Sequence, residues 1–429
     1  MAATSEAQVR VPAFSFHAMA KPSGADCNLD CDYCFYLEKA TLYREQRRHR
    51  MGQDVLETYV RNYIESHPAH SEVAFTWQGG EPTLMGLDFY REAVQLQARY
   101  GEGRKISNSF QTNGLLIDDE WSRFFVEHDF LIGLSLDGPA DIHDEYRVTV
   151  GGHPSHALVL RALHLFKAHG VRFNILACVN RRSSQEPLRI YNYFRELGIE
   201  YIQFIPIVER APDAADEAMG FTLHSPGGGV IMSASHQRAE QITRWSVLAD
   251  DYGKFLNTIF DLWLAKDVGS VYVMNFEWAL ANYMGEPGAA CHHQPTCGRG
   301  IVVEHNGDVY ACDHYVYPEY HLGNIQHEIL ATMLQTPEQL KFGQDKLTSL
   351  PRQCRECKML KGCWGGCPKH RFIKAEDGEA GLNYLCKGYY QFFAHTAPYL
   401  RTISGLIAQG RSPSEIVGAT LMVTRLEND

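Results

Sequence analysis

Three cysteines stand together near the N-terminus. Cys27, Cys31 and Cys34 lie in the run SGADCNLDCDYCFYLEK with C-x3-C-x2-C spacing. A tetrahedral zinc site or an iron–sulfur cube normally takes four thiolates. A cube held by three keeps one iron free to bind something else, and so can do chemistry. A zinc site completed by a distant residue is the alternative that this spacing leaves open. Aromatic residues flank the last thiol, Tyr33 before it and Phe35 and Tyr36 after it.

The chain has twelve cysteines. Setting aside the first three and the isolated Cys178 leaves eight, all after residue 290. They run Cys291-x5-Cys297-x14-Cys312, then Cys354-x2-Cys357-x5-Cys363-x3-Cys367-x18-Cys386. Eight is two sets of four, enough for two closed clusters or two structural zinc sites. Disulfide frameworks belong mostly to short secreted chains. This chain has 429 residues, and its start, MAATSEAQVRVPAF, lacks an apolar signal core. Metal binding in a reducing compartment, the cytoplasm, is the expectation. Cys178 sits in FNILACVN, an apolar run expected to be a buried strand with the thiol as an inert core group.

Other residues bear chemistry through their position. In Gly79-Gly80-Glu81-Pro82, paired glycines let backbone come close to a ligand. Gln111-Thr112-Asn113-Gly114 and Ser135-Leu136-Asp137-Gly138 put polar groups at the ends of apolar runs, as ordinary turns also do. Arg147 offers a planar fork to a carboxylate, or is a solvated arginine. Asp313 follows Cys312 directly, and His314 follows Asp313.

These groups need a scaffold, and residues 13 to about 209 describe one. FSFHAMA, EVAFTWQGG, KISNSFQTNG, LIGLSLDGP, RFNILACVN and YIQFIPIVE read as six strands. Helical patterns such as LETYVRNYIESH, FYREAVQLQARY, DDEWSRFFVEH, HALVLRALHLFKAHG and PLRIYNYFRELG lie between them. Strands alternating with helices predict a parallel sheet with right-handed crossovers. Ligands of such sheets bind beyond the carboxyl ends of the strands, where the first cysteine loop falls. Residues 210–245 break the alternation and read as a long loop. DDYGKFLNTIFDLWLAKDVG restores an amphipathic helix, and IVVEHNGDVYAC predicts a hairpin turning on Asn306-Gly307. The stretch from about 388 is aromatic and helical in pattern.

Composition narrows the class. Hydrophobic residues at 45% and charged residues at 21% describe an ordinary globular protein. A formal charge of −11 argues against a nucleic-acid surface. No uncharged apolar run reaches the roughly 18 residues of a membrane helix.

CNLDCDYCFYLEK, TWQGGEP, QTNGLLID, GLSLDGP, GDVYACDHYVYPEYHLGNI, GGCPKHRF and GLNYLC together resemble the anaerobic sulfatase-maturating enzymes. These are radical S-adenosylmethionine (SAM) enzymes with a SPASM domain, and the motifs span residues 27 to 386. The resemblance implies an α/β fold: a partial (β/α)6 radical SAM barrel over 13–245, with an insertion at about 210–245. A connecting helix and strand over 246–290, a SPASM domain over 291–388 and a helical segment over 389–429 follow. It implies SAM and three [4Fe–4S] clusters as cofactors. Cys27, Cys31 and Cys34 would hold the SAM cluster. Cys291, Cys297, Cys312 and Cys367 would hold the first auxiliary cluster, and Cys354, Cys357, Cys363 and Cys386 the second. Tyr33, Tyr36, Gly79, Gly80, Glu81, Gln111, Asn113, Ser135, Asp137 and Arg147 would meet SAM, with Arg147 on its carboxylate. Asp313 would be the general base, and His314 a hydrogen-bond partner of a cluster sulfur or a bystander.

The implied reaction oxidises a Cys or Ser in a C/S-x-P-x-R motif to Cα-formylglycine, by way of a 5′-deoxyadenosyl radical. The partners would be an unfolded sulfatase polypeptide and an electron donor such as flavodoxin or ferredoxin, with no nucleic acid and no membrane. Another SPASM peptide maturase that crosslinks or epimerises its substrate, and a non-catalytic electron-transfer or zinc module, remain open at this stage.

Overall fold

The first six strands pair strictly in chain order, each parallel to the last. They are β1 (His17–Lys21), β2 (Val73–Trp77), β3 (Ile106–Thr112), β4 (Leu131–Ser135), β5 (Arg172–Val179) and β6 (Tyr201–Pro206). The structure, a computed structural model, describes residues 15–226, 242–286 and 290–417. The expectations for the N-terminal 14 residues, for 227–241 of the insertion and for the last residues of the C-terminal segment lie outside the described residues.

Helices follow the strands as the periodicity predicts, because local signals agree with the apolar pattern. Asp118 caps Asp119–Glu127 by accepting from the backbone N–H groups of Glu120 and Trp121. Pro187 opens Pro187–Glu196, where its missing donor costs nothing. The outer faces of the strands pack on these helices, as with Phe75, Phe110, Leu134, Ile175 and Phe204, each at most 1% exposed.

The sheet does not stop at β6. A two-residue strand, β7 (Tyr272–Val273), pairs with β6. At the other edge β8 (Gly300–Glu304) lies parallel to β1, with Lys21 opposite Glu304. The hairpin expected on Asn306-Gly307 forms between β8 and β9 (Asp308–Tyr310), and β10 (His321–Asn324) completes a ten-stranded sheet. The cysteine-rich region is thus joined to the barrel through β8. Part of the insertion is ordered as helix: Ala214–Met219 carries an Asp213/Asp216 capping box. It docks on the first cysteine loop through Glu38, which accepts from Thr222 N and Leu223 N at 2.8 and 2.9 Å. The helix Ala249–Lys266 appears as expected, and a 23-residue helix, Cys386–Ala408, packs along it.

Candidate functional site

The carboxyl ends of β1 to β5 form one rim, and the first cysteine loop lies across it. That loop is zipped to the turn after β2. Gly80 N donates to Gly24 O at 2.8 Å and Glu81 N to Asp26 O at 2.8 Å. A Cβ on Gly80 would sit 2.1 Å from Asp26 O. The space that glycine leaves is therefore filled by the cysteine loop's own backbone.

Cys27, Cys31 and Cys34 lie near enough for their thiols to influence one another. Burial pushes the Cys27 thiol up to about 12, and neighbouring Glu81 adds to it. Burial likewise raises Cys31 and Cys34, and at Cys31 the thiols of Cys34 and Cys27 raise it further. Three half-buried thiols without a histidine or carboxylate among them form a soft donor set. A bound metal supplies the positive charge that keeps such thiolates deprotonated. The group fits an iron–sulfur site with one position left for another ligand.

Glu81 is an internal tie. Its carboxylate accepts from Thr83 Oγ1 at 2.6 Å, Thr112 Oγ1 at 2.9 Å and Asn113 N at 2.8 Å, locking the turn to the end of β3. Asn113 in turn points Nδ2 at Asn28 Oδ1 (2.7 Å) and Cys27 Sγ (3.7 Å).

Two polar groups face each other across the rim. On one side the Asp137 carboxylate accepts from Tyr33 Oη, from Cys178 N at 2.8 Å and from Arg147 Nε and Nη2 at 2.9 and 3.2 Å. Burial works against that charge, but the guanidinium outweighs it and holds the carboxyl below its usual range. Ser135, 7% exposed, ends the neighbouring strand. Cys178 departs from expectation: it is partly exposed, and Arg147 Nη2 lies 3.4 Å from its sulfur. Ala177 and Val179 point into the core, so Cys178 faces the opposite side of β5, toward the rim. An apolar run hides such a residue because both faces of a covered parallel strand read alike.

On the other side lies a continuous polar row. Asp313 Oδ1 is 2.6 Å from Lys21 Nζ, Lys21 donates to Gln78 Oε1 at 2.7 Å, and Gln78 Nε2 donates to Gln111 Oε1 at 2.5 Å. Tyr36 belongs to this side. Its hydroxyl donates to Glu304, and Lys21 Nζ sits 3.9 Å above its ring. The ten candidate SAM contacts thus fall on both sides of the rim. Sequence reasoning missed Lys21, Gln78 and Glu304, whose only signal was a polar residue at the end of each apolar strand.

The late cysteines gather into two groups. The Cys312 thiol is raised by burial and by Cys291, Cys367 and Cys297. The Cys386 thiol is pushed up to about 12 by burial and by Cys363, Cys354 and Cys357. A cavity of about 840 Å³ opens among Cys354, Cys357, Cys363 and Cys386, room enough for a cluster. Cys363 and Cys367 stand four residues apart yet belong to different groups. Trp364, Gly365 and Gly366 between them hold φ of 49°, 68° and 61°, a left-handed turn that suits glycine. His314 Nδ1 lies 3.6 Å from Cys367 Sγ, and its ring meets Phe35 edge-on at 5.1 Å.

Comparison with known proteins agrees with this geometry. Residues 22–194 match the radical SAM superfamily, and residues 291–358 match the SPASM iron–sulfur cluster-binding domain. The chain is 45% identical over 403 residues to the serine-type anaerobic sulfatase-maturating enzyme of Bacteroides thetaiotaomicron, covering 94% of each chain. It is 34% identical over 392 residues to the cysteine-type enzyme of Clostridium perfringens, covering 91% of this chain and 98% of that one. The solved structure of anSMEcpe with bound AdoMet and a Cp18Cys peptide matches with a TM-score of 0.77 and 32% identity. That match covers 91% of this chain and 99% of the other. No helix among the described residues is long and apolar enough to cross a membrane.

Proposed function

The chain belongs to the anaerobic sulfatase-maturating enzymes of the radical SAM superfamily, and we propose from that premise how its residues divide the work. It is a radical SAM enzyme that oxidises a cysteine or serine in a sulfatase's C/S-x-P-x-R motif to Cα-formylglycine. SAM and three [4Fe–4S] clusters, when bound, supply abstraction of the target's Cβ hydrogen and a sink for the second electron.

Cys27, Cys31 and Cys34 would hold the cluster at which SAM binds. Cys291, Cys297, Cys312 and Cys367 hold the first auxiliary cluster, and Cys354, Cys357, Cys363 and Cys386 the second. The mutual grouping of each set of thiols supports this assignment. The Gly79-Gly80 turn, Gln111, Asn113, Ser135, Asp137 and Tyr33 frame SAM. Glu81 acts by fixing that turn to β3, and Tyr36 by bracing Lys21. Arg147 gives Nε and Nη2 to Asp137 and would meet the SAM carboxylate with its remaining donors.

Asp313 takes the proton. Once the Cβ hydrogen is gone, the carbon radical lies beside an S–H or O–H. Losing that proton makes the radical a stronger reductant. The proton passes to Asp313, and its neighbour Cys312 would be a ligand of the cluster that supplies the electron sink. Serine then yields the aldehyde directly. Cysteine yields a thioaldehyde, which water converts to the aldehyde with loss of hydrogen sulfide. The observation that carries this reading is the place of Asp313: covalently next to Cys312, and ion-paired with Lys21 where β1 enters the first cysteine loop.

The substrate is an unfolded sulfatase segment, the reductant a flavodoxin- or ferredoxin-like donor, and the setting the cytoplasm. Anaerobic incubation of a C/S-x-P-x-R peptide with the reconstituted enzyme, SAM and dithionite, read by mass spectrometry, tests the reading. Aldehyde at the target residue is the expected product, and an unaltered or crosslinked peptide rejects it.

A further inference from the structure

Two cations are buried among the late cysteines, with no carboxylate among the described residues to balance them. Lys346 is 1% exposed, and its Nζ donates to three backbone carbonyls: Cys291 at 2.5 Å, His292 at 3.1 Å and Gln294. A neutral amine has two N–H donors and an ammonium three. Three carbonyl acceptors therefore call for the charged form. Asp345, next to it in the chain, turns away to Lys341 at 2.5 Å.

Arg371 is 4% exposed and also meets only carbonyls. It donates to Lys346 O at 2.5 Å, Trp364 O at 2.8 Å, Gly365 O at 3.0 Å and Gly366 O at 3.4 Å. Its guanidinium thus holds the left-handed turn between Cys363 of one group and Cys367 of the other. Neither cation has an ion-pair partner among the described residues. A buried charge needs a counter-charge, and the nearby anions are thiolates. Lys346 sits directly on the backbone of Cys291, a thiol of the first group. Arg371 sits on the turn that links Cys363 of the second group to Cys367 of the first, so it lies beside both.

A cube held by four thiolates is a net anion, and accepting an electron makes it more negative. A fixed buried cation beside it stabilises the reduced form more than the oxidised form and so raises its potential. We infer that Lys346 and Arg371 set the potentials of the auxiliary clusters, Lys346 acting on the first cluster alone and Arg371 on both. The first cluster, beside Asp313, feels both charges and becomes the readier acceptor for the electron leaving the substrate radical. Both are positioning residues, since neither touches substrate. The inference rests on the reading that the two groups of four thiols hold [4Fe–4S] clusters.

The test is a reductive titration of anaerobically reconstituted protein followed by EPR, comparing wild type with Lys346→Gln, Lys346→Arg and Arg371→Gln. Lys346→Gln keeps an amide donor for the carbonyls and removes the charge. Its first auxiliary cluster should shift at least about tenfold toward the oxidised form at a given potential, about 59 mV more negative for one electron. Its second cluster should stay in place, and Lys346→Arg should restore most of the shift. Arg371→Gln should move both clusters the same way. Unchanged potentials in Lys346→Gln overturn the inference, since a purely structural lysine alters cluster content and not potential. If Lys346→Gln fails to load its first cluster, Arg371→Gln decides through the second cluster, whose unchanged potential overturns it. Wild-type protein without auxiliary-cluster signals overturns the underlying reading, and the inference with it.

Discussion

Lys21 Nζ lies 2.6 Å from Asp313 Oδ1, joining the last residue of the first barrel strand to the residue after Cys312. Lys21 is 1% exposed and reaches this position because β8 pairs in parallel with β1, which sets Glu304 beside Lys21 and returns Asp313 on the far side of the hairpin. The proposed base is thereby fixed to the barrel whose first loop carries Cys27, Cys31 and Cys34, while its backbone stays beside Cys312.

Replacing Asp313 with Asn keeps the side chain's size and removes its power to accept a proton. Hydrogen abstraction precedes deprotonation, so the variant should still produce deoxyadenosine. Formylglycine should fall by about 10²–10⁴-fold, the usual worth of a general base. Lys21→Met should show the same uncoupling in milder form, with Lys21→Arg between it and wild type. One anaerobic time course of deoxyadenosine against aldehyde decides it, and near-normal coupling in Asp313→Asn would remove Asp313 from the mechanism.

Gly80→Ala should damage SAM binding without touching a cluster ligand. The added Cβ meets Asp26 O at 2.1 Å, and neither backbone can yield without parting the two loops. The expected result is retained iron with loss of SAM affinity and of deoxyadenosine formation. Wild-type SAM affinity in this variant would show that the contact is slack.

Much of this scaffold was legible in the chain, because six strands and their helices obey local periodicity and Asn306-Gly307 announces its own turn. The parallel pairing of β8 with β1 was not, since partners nearly 300 positions apart leave no local pattern. Site residues divide the same way. Cysteines betray themselves by type and spacing. Lys21 and Gln78 are single polar residues at strand ends, and their meaning comes only from Asp313 and Gln111 across the rim. Lys346 and Arg371 were silent for another reason: their acceptors are backbone carbonyls, which any sequence supplies.

Glu277, on the helix Met274–Met284, gives a pH-dependent test of the fold. Burial raises its carboxyl from 4.5 to about 7. Between these values the folded chain binds more protons than the unfolded chain, so stability falls as pH rises through this window. Above it, the full cost of a buried carboxylate remains. Glu277→Gln should therefore stabilise the protein by roughly 2–3 kcal/mol near pH 8, and the gain should shrink as the pH drops toward 5. Anaerobic thermal melts at the two pH values check this, and an equal gain at both would mean that Glu277 does not titrate in this range.

Replacing Cys27, Cys31 and Cys34 together with Ala should separate the two kinds of thiol site. The triad sits on a loop tied to the turn after β2 and to Asn113, whereas the late thiols are held by the segments from Cys291 to Cys386 and by Lys346 and Arg371. Among the described residues the triad loop meets the late cysteine region through Phe35 and His314 rather than through a thiol, so the loss should stay local. Iron should drop from about twelve to about eight per chain, the content of two closed four-iron clusters. SAM cleavage should vanish, while the EPR signals of the two remaining clusters persist. Deoxyadenosine production by the triple variant would put the open cluster elsewhere. Iron near zero would mean that the barrel loop and the late cysteines fold as one unit.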